Sequence, residues 1–166
     1  YGLCWSLVRS FVHTYLKQDG TPFTAAADYA VKSFAEEMEG RDLRLEQTVR
    51  GRNFLWDGKT AVADIKNLSL TGYQVIKYTL DESKYDGGAK NINSIPLIRY
   101  AEVLLNYAEA VFERDGQISD EDLAISLNLT RKRINPEMPD LTNDFVTANN
   151  LDMRTEIRRE RTIEFF

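Results

Sequence analysis

The chain has 166 residues, 43% hydrophobic and 28% charged, which is enough for one domain with a buried core. Its net charge of −5 and the absence of a basic stripe exclude a surface built for phosphate backbones, so nucleic-acid binding is not expected. The single cysteine, Cys4, excludes an intrachain disulfide. No run approaches the roughly 18 apolar residues that a membrane-spanning helix needs.

The first 40 residues carry two helical patterns. Apolar side chains at helical spacing predict a helix over residues 5–16, and Gly20 followed by Pro22 ends it. A second helix is predicted over residues 23–38, and Gly40 ends it.

The middle of the chain predicts little helix. Leucines alternate with polar residues over 41–49, which predicts an extended stretch. Residues 50–70 are rich in turn formers and predict a surface loop. A short strand is predicted over 71–80, and the polar, glycine-containing residues 81–93 predict a second exposed loop.

The clearest helical pattern begins at Pro96 and ends near Gly116. Ser119 is predicted to cap a second helix, which ends before Pro136. Two helices joined by a short turn are typical of a tetratricopeptide hairpin. Since one hairpin cannot bury its own face, neighbouring helices are expected.

The last predicted helix runs from about Asp152 to the end of the chain, with Asp152 or Asn150 as its cap. Charged residues share a face with Ile157 there, which is unusual because an unpaired buried charge is unfavourable. We therefore expect an ion-pair network between helices rather than a ligand site, involving Arg99, Glu102, Arg131, Arg133, Glu160, Arg161 and Glu164.

Aromatic residues are the candidate ligand contacts. Trp56, with Phe54 beside it in the predicted loop, could stack on the flat C–H face of a sugar. The alternative is that these two aromatics anchor the loop to the helices. Trp5 is a third candidate, although its place in an apolar helical pattern also fits the core.

Catalytic and metal-binding patterns do not emerge from the sequence. The only histidine, His13, is nine residues from Cys4, which places the two on opposite faces of one helix and excludes a dyad. No spacing typical of a metal site occurs, and we expect neither a metal nor a cofactor. A pair of carboxylates could in principle serve a glycosidase, but nothing in the sequence indicates one.

Six segments, taken in order, resemble the C-terminal half of the SusD/RagB family. The closest is "IPLIRYAEVLLNYAEA" at 95–110, which matches the strongest family block almost residue for residue. Leu43 stands where the family usually has a proline. The other segments are "SLVRSFVHTYLKQDGTPF" (6–23), "RDLRLEQTV" (41–49), "TGYQVIKY" (71–78), "SLNLTRKRINPEMPDL" (126–141) and "IRRERTIEFF" (157–166).

The resemblance implies a mainly α fold, a SusD-like α/α superhelix of tetratricopeptide-like hairpins with long surface loops. It implies that residues 1–166 are an internal part of a single SusD-like domain, with the lipid-attachment cysteine upstream. The parent protein would sit on the outer membrane of a Gram-negative bacterium. There it would capture oligosaccharide or another nutrient without catalysis and deliver it to a TonB-dependent, SusC-like transporter.

Two other functions stay open from the sequence alone. The first is a helical-repeat adaptor that binds another protein through its concave face. The second, with less support, is a carbohydrate-active enzyme.

Overall fold

The computed structural model describes residues 6–60, 69–77, 79, 84, 94 and 96–166. Its elements are mainly helices, together with two 3-10 turns (Phe23–Ala25 and Tyr29–Val31) and a two-stranded hairpin. The predicted fold class is therefore confirmed. In chain order the elements are α1 (Arg9–Val12), α2 (Phe34–Met38), α3 (Leu43–Thr48), β1 (Leu55–Trp56), β2 (Lys59–Thr60), α4 (Tyr100–Asp115), α5 (Asp120–Ala124), α6 (Leu127–Lys132), α7 (Asn143–Ala148) and α8 (Met153–Phe165).

Helix α4 organises the C-terminal half, where it packs against α6 and α8. Its buried residues Leu105 and Ala108 join a core with Leu127 of α6 and Ile157 of α8. Gly116 ends α4 in the left-handed conformation (φ 71°), as its position in the sequence predicts.

Side-chain caps fix where the C-terminal helices begin. Ser119 accepts a hydrogen bond from the Asp122 N–H at 3.0 Å, and Asp152 accepts one from the Thr155 N–H at 2.8 Å. Both predicted caps are confirmed. The single helix predicted after Ser119 is wrong in detail, because the chain breaks at Ser126 into α5 and α6.

A second core lies in the N-terminal half. Leu7, Val12 and Tyr15 pack there with Leu45 of α3 and other buried side chains. Ile163 of α8 belongs to the same core, whereas Ile157 belongs to the first one. Helix α8 therefore connects the two cores.

The helix predicted over 5–16 is too long, since α1 covers only Arg9–Val12. The buried guanidinium of Arg41 donates to the carbonyls of Val12 at 3.0 Å and Tyr15 at 2.8 Å. The guanidinium also stacks on the ring of Phe23, with its carbon 3.8 Å from the ring centroid. Backbone oxygens that a longer helix would use are thus bound by a side chain from elsewhere in the chain.

The prediction of one helix over 23–38 is also wrong. The segment forms the two 3-10 turns and then α2. A capping box starts α2 afresh, because the Glu36 carboxylate accepts from the Ser33 N–H at 2.7 Å.

The extended stretch predicted over 41–49 is helix α3 instead. Asp42 caps it by accepting from the Arg44 N–H at 2.9 Å. The buried positions 44, 45 and 48 follow a helical period once Arg44 is counted as an interior residue.

The strand predicted over 71–80 forms only isolated bridges among the described residues, from Gln74 to Ser6 and from Val75 to Val49. Within the loop predicted over 50–70, β1 and β2 make a tight hairpin. Asp57 and Gly58 at its turn both have positive φ (51° and 71°), as a two-residue turn that follows the strand twist requires. The loop predicted over 81–93 lies, except for Lys84, outside the described residues.

Candidate functional site

A buried charge network lies between α3 and α8. Arg44 of α3 donates through Nη1 to Glu160 Oε1 at 2.5 Å and to Glu164 Oε2 at 3.3 Å. Its Nη2 donates to Asp42 Oδ2 at 2.7 Å. All four residues are buried, Glu160 completely (0% exposed). Arg44 therefore compensates three carboxylates that could not be buried without a cation.

The titration of this network follows from its geometry. Burial acts to raise the pKa of Asp42, but hydrogen bonds from Arg44 and its positive charge outweigh burial and leave that pKa lowered. Burial acts to lower the pKa of Arg44, but the negative charge of Glu160 and the hydrogen bond to Asp42 outweigh burial and raise that pKa. Both groups are charged at neutral pH, and each stabilises the other.

Three further arginines reach the α8 carboxylates. Arg99 Nη1 donates to Glu164 Oε1 at 2.8 Å, and Arg133 Nη2 donates to the same oxygen at 3.1 Å. Arg131 Nε lies 3.5 Å from Glu160 Oε2. The predicted pairing of Arg99, Arg131 and Arg133 with the charges of α8 is confirmed.

The network also differs from the prediction. Arg161 bonds Asn106 and pairs with Glu109 on α4, and Glu102 makes no ion pair with any described residue. Arg44 and Asp42 are missing from the predicted network because 41–49 is predicted to be an extended stretch. The signal that could have revealed them is the "RDLR" segment itself, where an acidic cap precedes the first turn of a helix.

A cavity of about 520 Å³ lies against this network. Its lining combines the ring of Phe54 and the side chain of Gln47 with apolar residues such as Ile76 and Ile163. A neighbouring cavity of about 460 Å³ is also lined by Phe54 and Gln47, together with Leu43 and Ile134. Such volumes fall in the range of roughly 300–1,000 Å³ typical of small-molecule sites.

Phe54 is the predicted contact that lies at these cavities. Its ring is half-buried, with the guanidinium carbon of Arg50 5.3 Å from the ring centroid. Trp56 lies in β1, where its backbone pairs with Lys59, and its role as a ligand contact stays a prediction. Trp5 lies outside the described residues.

A second buried carboxylate, Glu37, belongs to the N-terminal core. Tyr73 donates its hydroxyl to Glu37 Oε2, and Arg9 Nε donates to Glu37 Oε1 at 2.7 Å. Burial acts to raise the pKa of Glu37, but the hydrogen bonds from Tyr73, Arg9 and His13 outweigh it and lower that pKa. The partners of Glu37 come from α1 and from the 69–77 segment, so it ties these parts of the core together.

Neither a metal-binding cluster nor a membrane-spanning helix occurs among the described residues. The described residues bring together no group of three or more His, Cys, Asp or Glu side chains that could hold a metal ion. None of the helices described is both long enough and apolar enough to span a bilayer.

Fold and site together define a helical domain with a ligand-sized cavity beside a buried charge network. The chain belongs to the SusD family, whose family model (SusD_RagB) matches residues 2–166. The predicted resemblance is therefore confirmed. No curated protein and no solved structure matches the chain significantly.

Family membership settles the class of function. SusD family proteins are non-catalytic binding proteins, so the prediction that the chain is not an enzyme is confirmed. Membership implies glycan binding in partnership with a SusC-like transporter, and SusD family proteins are outer-membrane surface lipoproteins.

Proposed function

We propose that this protein captures oligosaccharide at the cell surface and delivers it to a TonB-dependent, SusC-like transporter, with Phe54 as a ligand contact. The observation that carries the proposal is the position of Phe54 in the lining of both cavities. The proposal includes the family's lipid anchor, and it treats residues 1–166 as part of a single SusD-like domain.

Phe54 offers what a sugar needs from a binding surface. A half-buried aromatic ring can accept the flat C–H face of a pyranose, and nearby polar side chains can bond its hydroxyl groups. Gln47 lines the same two cavities and carries both an amide donor and a carbonyl acceptor. Arg50 beside the ring of Phe54 holds it in place through a cation–π contact.

A second candidate function, a protein–protein adaptor, is favoured by the outer face of α4. Tyr100 is 72% exposed at its start, and Val103 and Tyr107 continue the same stripe one and two turns along. Leu97, which is 94% exposed, lies just before the helix. Contiguous exposed apolar residues mark interaction sites more often than isolated ones do.

A glycan array tests the proposal. The wild-type chain, Phe54→Ala and the control Tyr100→Ala are screened against plant, host and microbial glycans. We expect the wild type to bind one glycan class. Phe54→Ala should weaken that binding about two- to tenfold, the range expected for one aromatic contact.

The control decides between the two candidates, because Tyr100 lies on the exposed face of α4 and outside both cavity linings. Equal glycan binding by Tyr100→Ala and the wild type supports capture through the Phe54 cavities. If the chain binds no glycan of any class, the capture proposal is wrong and the adaptor becomes the better one.

A further inference from the structure

The cavity of about 520 Å³ beside Phe54 carries more positive than negative charge. Among the described residues that line it, four are cationic, Arg44, Lys77, Arg99 and Arg133, and one is a carboxylate, Glu164. The positive charge of Arg44 is already compensated by Asp42 and Glu160, two carboxylates outside the lining. The excess of positive charge therefore comes from the other three cations.

Lys77 has the least compensated charge of the four. Within the described part of the chain it makes no ion pair, and its Nζ lies 5.8 Å from the centroid of the Phe166 ring. Burial lowers the pKa of Lys77, and the charge of Arg99 lowers it further, while Glu164 opposes them. An anion placed beside Lys77 would therefore offset the repulsion from Arg99 and stabilise the partly buried ammonium group.

Arg133 supplies a second set of free donors. It is 55% exposed at the side chain and meets Glu164 through Nη2 alone, at 3.1 and 3.3 Å. Its Nε and Nη1 donate no hydrogen bond to any residue that the structure describes. Arg99, by contrast, is occupied, with Nη1 on the Glu164 carboxylate and Nη2 on the Glu164 carbonyl oxygen at 2.5 Å.

The apolar part of the lining limits what kind of anion fits. Phe54, Ile76, Pro96 and Ile163 line the same cavity as the cations. A small, fully hydrated inorganic anion would leave these surfaces without contacts. A sugar ring that bears a carboxylate would cover the apolar side chains with its C–H face and bring its charge to the cations.

We propose that this cavity binds the carboxylate of an acidic sugar, a uronic acid residue within an oligosaccharide. Lys77 and Arg133 are its charge partners, and Phe54 lies against the sugar ring. This inference rests on the proposed function and narrows its ligand to anionic glycans.

Calorimetric titration of the 166-residue chain tests the inference with three probes. The first is a galacturonic acid oligosaccharide, the second is its fully methyl-esterified form, and the third is hexaglutamate. The ester removes the charge and keeps the sugar, whereas hexaglutamate keeps the carboxylates and removes the sugar. We expect the acid to bind at least about fivefold more tightly than either alternative, since a charge-assisted hydrogen bond contributes more than a neutral one.

The variants Lys77→Gln and Arg133→Gln should each weaken binding of the acid about three- to tenfold and leave binding of the ester unchanged. Lys132→Gln is the matched control, because it makes the same charge change one residue away, on a side chain that pairs with Asp140 and lies outside the cavity lining. Since Lys77 and Arg133 are tested separately, misfolding of one variant leaves the other to decide.

The outcomes separate this inference from the proposed function. If the ester binds as tightly as the acid, or if Lys132→Gln weakens binding as much as Arg133→Gln, the acidic-sugar inference is overturned while glycan capture stands. Tightest binding of hexaglutamate overturns the inference in favour of an acidic peptide. If neither galacturonate oligosaccharide binds, the acidic-sugar inference is overturned, and the glycan array decides separately whether the proposed function stands.

Discussion

Replacing Arg44 by methionine should destabilise the protein far more than the same replacement of Arg131, although both arginines are buried and both pair with Glu160. Arg44 contacts Asp42, Glu160 and Glu164, at 2.7, 2.5 and 3.3 Å. Arg131 makes one long contact of 3.5 Å with Glu160. Its Nη1 and Nη2 are buried and donate no hydrogen bond to any described residue.

The magnitudes follow from what each replacement leaves behind. Without Arg44, Asp42 is buried with no cation and Glu160 keeps only the distant Arg131, and breaking a buried pair in this way costs about 3–5 kcal/mol. Without Arg131, Glu160 keeps Arg44 at 2.5 Å. The buried, unpaired Nη1 and Nη2 groups are also removed, and this gain offsets the lost 3.5 Å contact with Glu160. We therefore expect Arg131→Met to change the free energy of unfolding by less than about 1 kcal/mol, because methionine refills most of the volume.

Urea unfolding followed by circular dichroism measures both changes in the free energy of unfolding. For a chain of this size, 3 kcal/mol corresponds to a fall of about 6–12 °C in Tm, so thermal melting gives an independent check. Equal destabilisation by Arg44→Met and Arg131→Met would show that the number of satisfied contacts does not determine how much a buried charge contributes to stability.

Three further predictions concern other described residues. Because the pKa of Glu37 is lowered in the folded state, its contribution to stability is present above its ordinary pKa of 4.5 and is lost as the pH falls through the lowered value. Glu37→Gln should flatten the acid limb of a stability–pH profile, and an unchanged limb would contradict this. Burial and the hydrogen bond to Glu37 raise the pKa of Tyr73 from 10.0 to about 12. The stabilisation from the neutral Tyr73 hydroxyl is thus complete below pH 10 and lost as the pH rises to about 12. Tyr73→Phe should reduce that alkaline loss, and an unchanged loss would contradict this. Phe54→Ala should lower the free energy of unfolding by no more than about 2 kcal/mol, because its ring is only half-buried, and a global loss of structure would show that the ring is a core residue.

The sequence predicted the C-terminal half well because its signals are local. Gly116, Ser119 and Asp152 set helix ends through backbone conformation and adjacent hydrogen bonds, without help from distant residues. The start of this helix was predicted less well, since α4 begins at Tyr100 and not at Pro96. Leu97 and Tyr100 follow the helical spacing in the sequence but are exposed. Periodicity identifies a face, but it does not say how much of that face a neighbour covers.

The N-terminal half was predicted poorly because long-range contacts override local preference there. Arg41 binds the carbonyl oxygens of residues 12 and 15 from more than 25 positions away in the chain, which no local pattern shows. Arg44 is an interior residue only because Glu160 lies opposite, 116 positions along the chain. A pattern that counts every arginine as a surface residue therefore assigns the wrong period to 41–49.

The candidate site was predicted in part for the same reason. Phe54 stood out as an aromatic in a turn-rich loop, which is a local signal. The same cavity is lined by Lys77, Arg99 and Arg133 because segments from three regions of the chain meet there. Cations distributed in this way are invisible as a cluster until the fold is known.

The most direct test of glycan capture at this cavity is an NMR titration of the uniformly ¹⁵N-labelled chain with the glycan that binds best on the array. We expect the backbone amide signals of Gln47, Phe54 and Lys77 to shift in proportion to occupancy. Those of Val103 and Tyr107, on the outer face of α4, should not shift. Saturable shifts confined to α4, with the signals around Phe54 unchanged, would contradict glycan capture at this cavity.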